Sequence, residues 1–165
     1  MSCLNRVTEN KEKTASENIG RKQDLNNING IRFKFSAGRI NTFKETIEIN
    51  AALFNDNSDT VYFLTSTCEG EQFSLRFDTA EFTLTPLLNC NASYPMIEKI
   101  APHGQYNFHA HFRCSSIETK IRLGFDFYQV NKTFKLSHKN PAYLNIFNRP
   151  VNEQKIIWAD ETEIK

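Results

Sequence analysis

Glycine is scarce in this chain, six in 165 residues, and so are proline (five), methionine (two) and tryptophan (one). So little glycine leaves no phosphate-cradling loop, and there is no G-x-S-x-G turn to expose a nucleophilic serine. The four cysteines, Cys3, Cys68, Cys90 and Cys114, contain no C-x-x-C spacing, which removes a thiolate zinc cluster. Charge of one sign is missing too. Twenty basic residues against 19 acidic leave a net charge of +1, without the basic stripe that nucleic-acid binding calls for. No apolar run approaches the roughly 20 residues that cross a bilayer. No segment of a dozen residues holds the i, i+3, i+4, i+7 apolar spacing of a capped helix. The expectation from these absences is a protein that is not an enzyme and needs no cofactor.

What the chain does have is phenylalanine. There are 14, and all lie at or after Phe33. The length fits one domain with a self-sufficient core, and the ring distribution places that core from about residue 30 onward. Residues 4–29 are polar and charged and lack aromatics. Such a segment cannot bury enough apolar area to offset its ordering entropy, so 1–29 reads as a flexible linker and 30–165 as the folded domain. At its start, "MSCLNR" puts Ser2 before Cys3. A small residue before a cysteine resembles the end of a bacterial lipoprotein signal, with Cys3 as the acylated residue and 4–29 as its tether.

From Gly30 the apolar pattern has period two. Ile31, Phe33 and Phe35 alternate with Arg32, Lys34 and Ser36, and Ile47, Ile49, Ala51 and Leu53 alternate with polar residues. "NDNSD" (Asn55 to Asp59) is a dense turn cluster, and "TVYFLTST" after it is apolar on both faces. "QFSLRFD" sets Phe73, Leu75 and Phe77 in one row, and Pro86 makes "EFTLTPLLNC" an edge strand or one with a bulge. A loop passes Pro95 and Pro102 before "GQYNFHAHFRC" and "KIRLGFDFYQV", with "AYLNIF" and "QKIIWAD" as weaker candidates. About seven to nine short strands at turn intervals of 8–12 residues predict an all-β antiparallel sandwich, with a small barrel as the competitor.

Strand order over Gly30 to Val130, together with "IAPHGQYNF", where a Pro-x-Gly turn leads into alternating polar and aromatic residues, resembles bacterial immunoglobulin-like β-sandwich modules. Such modules occur in lipoproteins and among intracellular proteinase inhibitors. The resemblance implies an immunoglobulin-like sandwich. It carries over no catalytic residue, and Trp158 lies too near the C-terminus to be the buried tryptophan of antibody domains.

Strand parity puts Tyr106, Phe108, Ala110 and Phe112 on one face of "GQYNFHAHFRC" and Asn107, His109, His111 and Arg113 on the other. Two imidazoles at i and i+2 can ligate one metal ion, and Asp126, turned outward by the same alternation, is the candidate third ligand if the two strands pair. Arg113 and Arg122 in the outward sets disfavour a cation there. Solvated histidines on an ordinary sheet face are the competing reading.

With Cys3 acylated, three cysteines remain. A Cys68–Cys90 bridge would close a loop of about twenty residues and stabilise by ~3 kcal/mol. Cys114 can instead partner Cys90 or stay a buried thiol, and all three can be reduced in a cytosolic protein. Phe54, Tyr62, Tyr128 and Tyr143 fall outside the inward sets. Tyr128 is the candidate binding anchor, while a second packed face is the alternative for the group. Two functional readings follow. The first is a lipid-anchored module of the bacterial cell envelope that binds another protein, as an assembly component or as an inhibitor or immunity factor, and touches the membrane only through its anchor. The second is a carbohydrate- or metal-binding accessory domain using His109 and His111. A cytoplasmic location is the alternative to the envelope.

Overall fold

A computed structural model describes residues 26–41 (backbone alone for 39–41), 46–68, 70–78, 93–113, 120–136 and 154–163. They form an all-β, sandwich-like fold of antiparallel sheets with no barrel. No helix among them is long and apolar enough to cross a membrane. The first layer has the strand order β1 (Asn27–Ile28), β2 (Ile31–Asn41), β3 (Thr46–Asn55), β7 (Gln105–Arg113). Opposite it lie β10 (Gln129–Val130), β4 (Val61–Ser66) and β6 (Pro95–Ile100) in one sheet, and β11 (Ile156–Trp158), β9 (Leu123–Asp126) and β5 (Leu75–Phe77) in another. A short ribbon of β8 (Lys120–Ile121) and β12 (Thr162–Glu163) lies against β2. β1 already belongs to the first layer, with Ile28 only 7% exposed, so the fold starts inside the stretch read as linker. The remaining linker residues, Cys3 included, are outside the described residues, as are "EFTLTPLLNC" and "AYLNIF".

Period two does what the sequence predicts in the first layer. Ile47, Ile49, Ala51 and Leu53 are buried, as are Phe108, Ala110 and Phe112, because alternate side chains of paired strands share one face. These faces meet the second layer through rings. Phe125 lies 5.8 Å from Phe33 and 5.6 Å from Phe108, Phe63 stands edge-on to Tyr106 at 5.2 Å, and Phe77 stands edge-on to Phe112 at 5.5 Å. Tilted and edge-on pairs at these spacings suit the ring quadrupole and add to the burial of apolar area.

The second layer departs from the pattern in three ways. "KIRLGFDFYQV" is three strands, because its ends pair with different partners: β8 with β12, β9 between β5 and β11, β10 with β4. "QFSLRFD" is not one strand. Glu71–Ser74 form a single helical turn, α1, that leaves Phe73 exposed, and only Leu75–Phe77 remain extended. From Phe63 to Leu75 the chain advances twelve residues while its partner advances four, from Gln129 to Phe125. β4 and β5 are thus one interrupted strand with an excursion at 67–74. Gly70 sits in the excursion because a Cβ there would overlap Ser66. Third, 95–100, read as loop, is strand β6 along β4, with Pro95 at the first strand position, where its missing N–H costs least. A second apolar cluster, Leu64 and Val130 with Tyr62, Ile97, Tyr128 and Phe134, is separate from the main core.

"NDNSD" is a turn, and its first residue organises one end of the molecule. The buried Asn55 amide donates to the carbonyls of Asp59, Ile100 and Ala101 at 2.8–3.1 Å, and its oxygen accepts from the backbone and side-chain nitrogens of Asn57. Asp56 N–H donates to the Gly30 carbonyl and His103 N–H to that of Asn57, so three turns are tied together. Gly30, at φ +76°, presses on the Asn57 side chain, where a Cβ would not fit. Asn55→Ala strands several buried carbonyls and is expected to cost about 2–4 kcal/mol, read as a lower urea midpoint with an unchanged m-value.

Candidate functional site

The outward face of the first layer is laid out by register. Lys34, Ala52 and Asn107 make one row across β2, β3 and β7, and Ser36, Asn50 and His109 make the next. Arg32, Phe54 and Gln105 flank this pair on one side, and Glu48 opposite His111 lies on the other. Lys34, Ser36, Asn50, Asn107 and His109 are exposed, and His111 is half-buried. The small side chain of Ala52 between longer neighbours leaves a shallow depression of about 330 Å³ lined by Lys34, Ser36, Asn50, Ala52, Asn107 and His109. Above it, Arg32 grips Asp56 through Nε and Nη2. That hydrogen bond holds the Asp56 carboxyl below its ordinary value and raises the Arg32 guanidinium. Arg32 and Lys34 both stand over the Phe54 ring, at 5.5 and 5.7 Å from its centroid. Phe54 is therefore a seat for cations and not a bare apolar platform.

Both histidines point outward as parity predicts, but Asp126 does not join them. β7 pairs with β3, while β9 lies between β5 and β11 in the opposite layer, so the hairpin that would bring the three together does not form. Phe108 meets Phe125 across the core, which turns His109 and Asp126 away from each other. Asp126 is 4% exposed and accepts a hydrogen bond from Arg76 Nη2 at 3.2 Å in an ion pair. Alternation misplaced it because both faces of β9 are covered: Leu123, Gly124, Phe125 and Asp126 are all buried. No group of three metal-ligating side chains exists among the described residues.

Tyr128 packs half-buried in the second apolar cluster, as Tyr62 does, which is the second-face reading for these two rings. Cys68 is disulfide-bonded. Cys90 and Cys114 lie outside the described residues, so the Cys68–Cys90 pairing is a matter beyond them. The exposed large apolar side chains are Phe73, Tyr94 and Leu136 among the described residues.

A polar cluster that parity gave no hint of lies under the 67–74 excursion. Glu71, buried, accepts hydrogen bonds from the Tyr106 hydroxyl at 2.6 Å and the Thr65 hydroxyl at 3.1 Å. Its signal in the sequence is only Gly70 before an acidic residue, which does not separate a turn from a strand end. Here the cluster pins the helical turn to β7, a structural role. Burial, and after it the Glu71 hydrogen bond, raise the Tyr106 phenol above its ordinary value of 10.0.

No protein-family profile matches the chain, and no curated protein sequence matches it. Function has therefore to be argued from the surface itself.

The raised Tyr106 phenol has a consequence at high pH. The folded state keeps a proton that the unfolded chain loses above about pH 10, so this stabilisation is present below pH 10 and declines as pH rises above it. Urea midpoints measured from pH 8 to 11 are expected to fall at the alkaline end in the wild type. In Tyr106→Phe that slope is expected to be shallower, from a start lower by about 1–2 kcal/mol because Glu71 loses a buried partner.

Proposed function

We propose that this domain is a non-enzymatic binding module of the bacterial cell envelope, held to a membrane by an acyl chain on Cys3, whose partner is another protein. The carrying observation is the contrast between two edge strands. Natural sheets blunt their edges with proline and charge. β6 follows that rule, starting at Pro95 and including Glu98 and Lys99. β7 is nine residues long, has no proline or lysine, and turns Phe108, Ala110 and Phe112 inward. Among the described residues it pairs on one side only, with β3. A long edge whose one arginine, Arg113, stands at its last position suits the addition of a partner strand, in which backbone hydrogen bonds give affinity and alternate side chains give specificity. The disulfide at Cys68 supports an oxidising compartment, in keeping with the envelope and against the cytoplasm. The immunoglobulin-like resemblance points the same way, since such modules act through their edges and loops.

A photo-crosslinking residue at Gln105 or Arg113, the two ends of β7, is expected to trap one partner of defined mass in cells, and the same residue at the exposed Lys132 is not. Equal yield from all three positions, or none from β7, would remove the reading. The anchor is tested separately by metabolic acyl labelling, which Cys3→Ser is expected to abolish.

A second reading has an observation of its own. The depression on the outward face suits a saccharide, because Ser36, Asn50, Asn107 and His109 both donate and accept hydrogen bonds, as sugar hydroxyls do, while Phe35, Ala51, Ala52 and Phe108 give it apolar lining as well.

A further inference from the structure

We infer that the depression between β2, β3 and β7 is a subsite for an acidic saccharide, a uronate unit whose carboxylate is held by Lys34. The inference rests on the saccharide reading above and adds the charge of the ligand and the residue that selects for it. Ser36, Asn50, Asn107 and His109 come from three strands and line one concavity, with Ala52 as its low floor. The row Ser36, Asn50 and His109 sets three hydrogen-bonding side chains at the strand separation, roughly 4.8 Å, which suits alternate hydroxyls of a pyranose ring laid across the strands, with Asn107 on the diagonal. An acidic peptide fits less well. The surface lacks the buried aromatic anchor on which protein interfaces concentrate their energy, since the Phe54 ring already carries Arg32 and Lys34.

The sign of the charge comes from the neighbours. Asp56 is engaged by two donors of Arg32. Glu48 lies one row beyond Asn50, opposite His111. Lys34 is the one cation among the residues lining the depression; its ammonium stands 5.7 Å from the Phe54 ring centroid, close enough to Asp56 to help Arg32 hold that carboxyl down, and no carboxylate side chain among the described residues lines the depression. An anionic group on the ligand would give that ammonium a contact on its open side that the Phe54 ring does not neutralise. A site with amide walls, one cation and no free ring binds weakly and selects by charge.

The test uses the full chain and a panel of trisaccharides containing galacturonate, glucuronate or mannuronate, each paired with its methyl ester, followed by the side-chain amide signals of Asn50 and Asn107 in NMR titrations. At least one acid is expected to shift both amides and to bind about fivefold more tightly than its ester, the scale of one exposed charge contact. Lys34→Gln is expected to abolish that difference between acid and ester. Asn107→Ala weakens acid and ester alike. An acid and ester that bind equally would overturn the charge selection and leave the saccharide reading standing. A panel in which neither form shifts the amides would overturn both, and shifts that survive in Asn107→Ala would place the ligand elsewhere.

Discussion

Phe125 is fully buried, and its ring lies within 6.5 Å of the ring centroids of Phe33, Phe63, Phe108 and Phe127. Those rings come from β2, β4, β7 and the residue after β9, so one side chain joins both layers. Close packing leaves little freedom in how the sheets face each other once such a cluster forms. Facing in turn decides what faces out. With Phe108 committed to Phe125, the next residue on β7 has to point to solvent, and Asn107 and His109 do. The polar floor of the first layer is thus a by-product of its aromatic underside.

The second layer pays a different structural cost. Two successive strands, β9 and β10, lie in two different sheets, and their partner run is interrupted by the 67–74 excursion. Polar groups carried inward there need partners, because an unmet buried carboxylate is expensive. Glu71 finds Tyr106 and Thr65, and Asp126 finds Arg76, whose guanidinium also donates to the carbonyls of Phe73 and Leu75. These contacts lock the excursion and β9 in place. They explain why acidic residues that look like surface solvation in the sequence are buried in the fold.

The boundary between what could and could not be read in advance follows from this difference. Ile47 to Leu53 and Tyr106 to Phe112 declare their inward faces through neighbours two residues away, so parity alone places them. His109 and His111 were legible for the same reason. Asp126 was not, because alternation assumes one wet face and β9 has none. Strand β6 was hidden by Pro95 at its start and Pro102 just beyond it, since proline marks a loop as readily as an edge. The depression was half legible: Lys34, Ser36, Asn50, Asn107 and His109 each read as outward, but only the register that sets Asn50 between Ser36 and His109 makes them one surface. Register is a relation between distant segments, and nothing local to any of the three strands carries it.

Edge and face on β7 are not independent. A strand added beside Gln105–Arg113 would extend the rows that run through Asn107 and His109, placing its own outward side chains against the rim of the depression. A polymer lying across the rows from Lys34 would reach the same rim from the β2 side. The two proposed ligand classes would therefore meet at His109, and an occupant of one site would alter the exposure and charge of the other. Competition or mutual support between them would be decided by the added strand's side chain beside His109: a carboxylate there would repel a uronate, and an amide or hydroxyl would lengthen the floor under it.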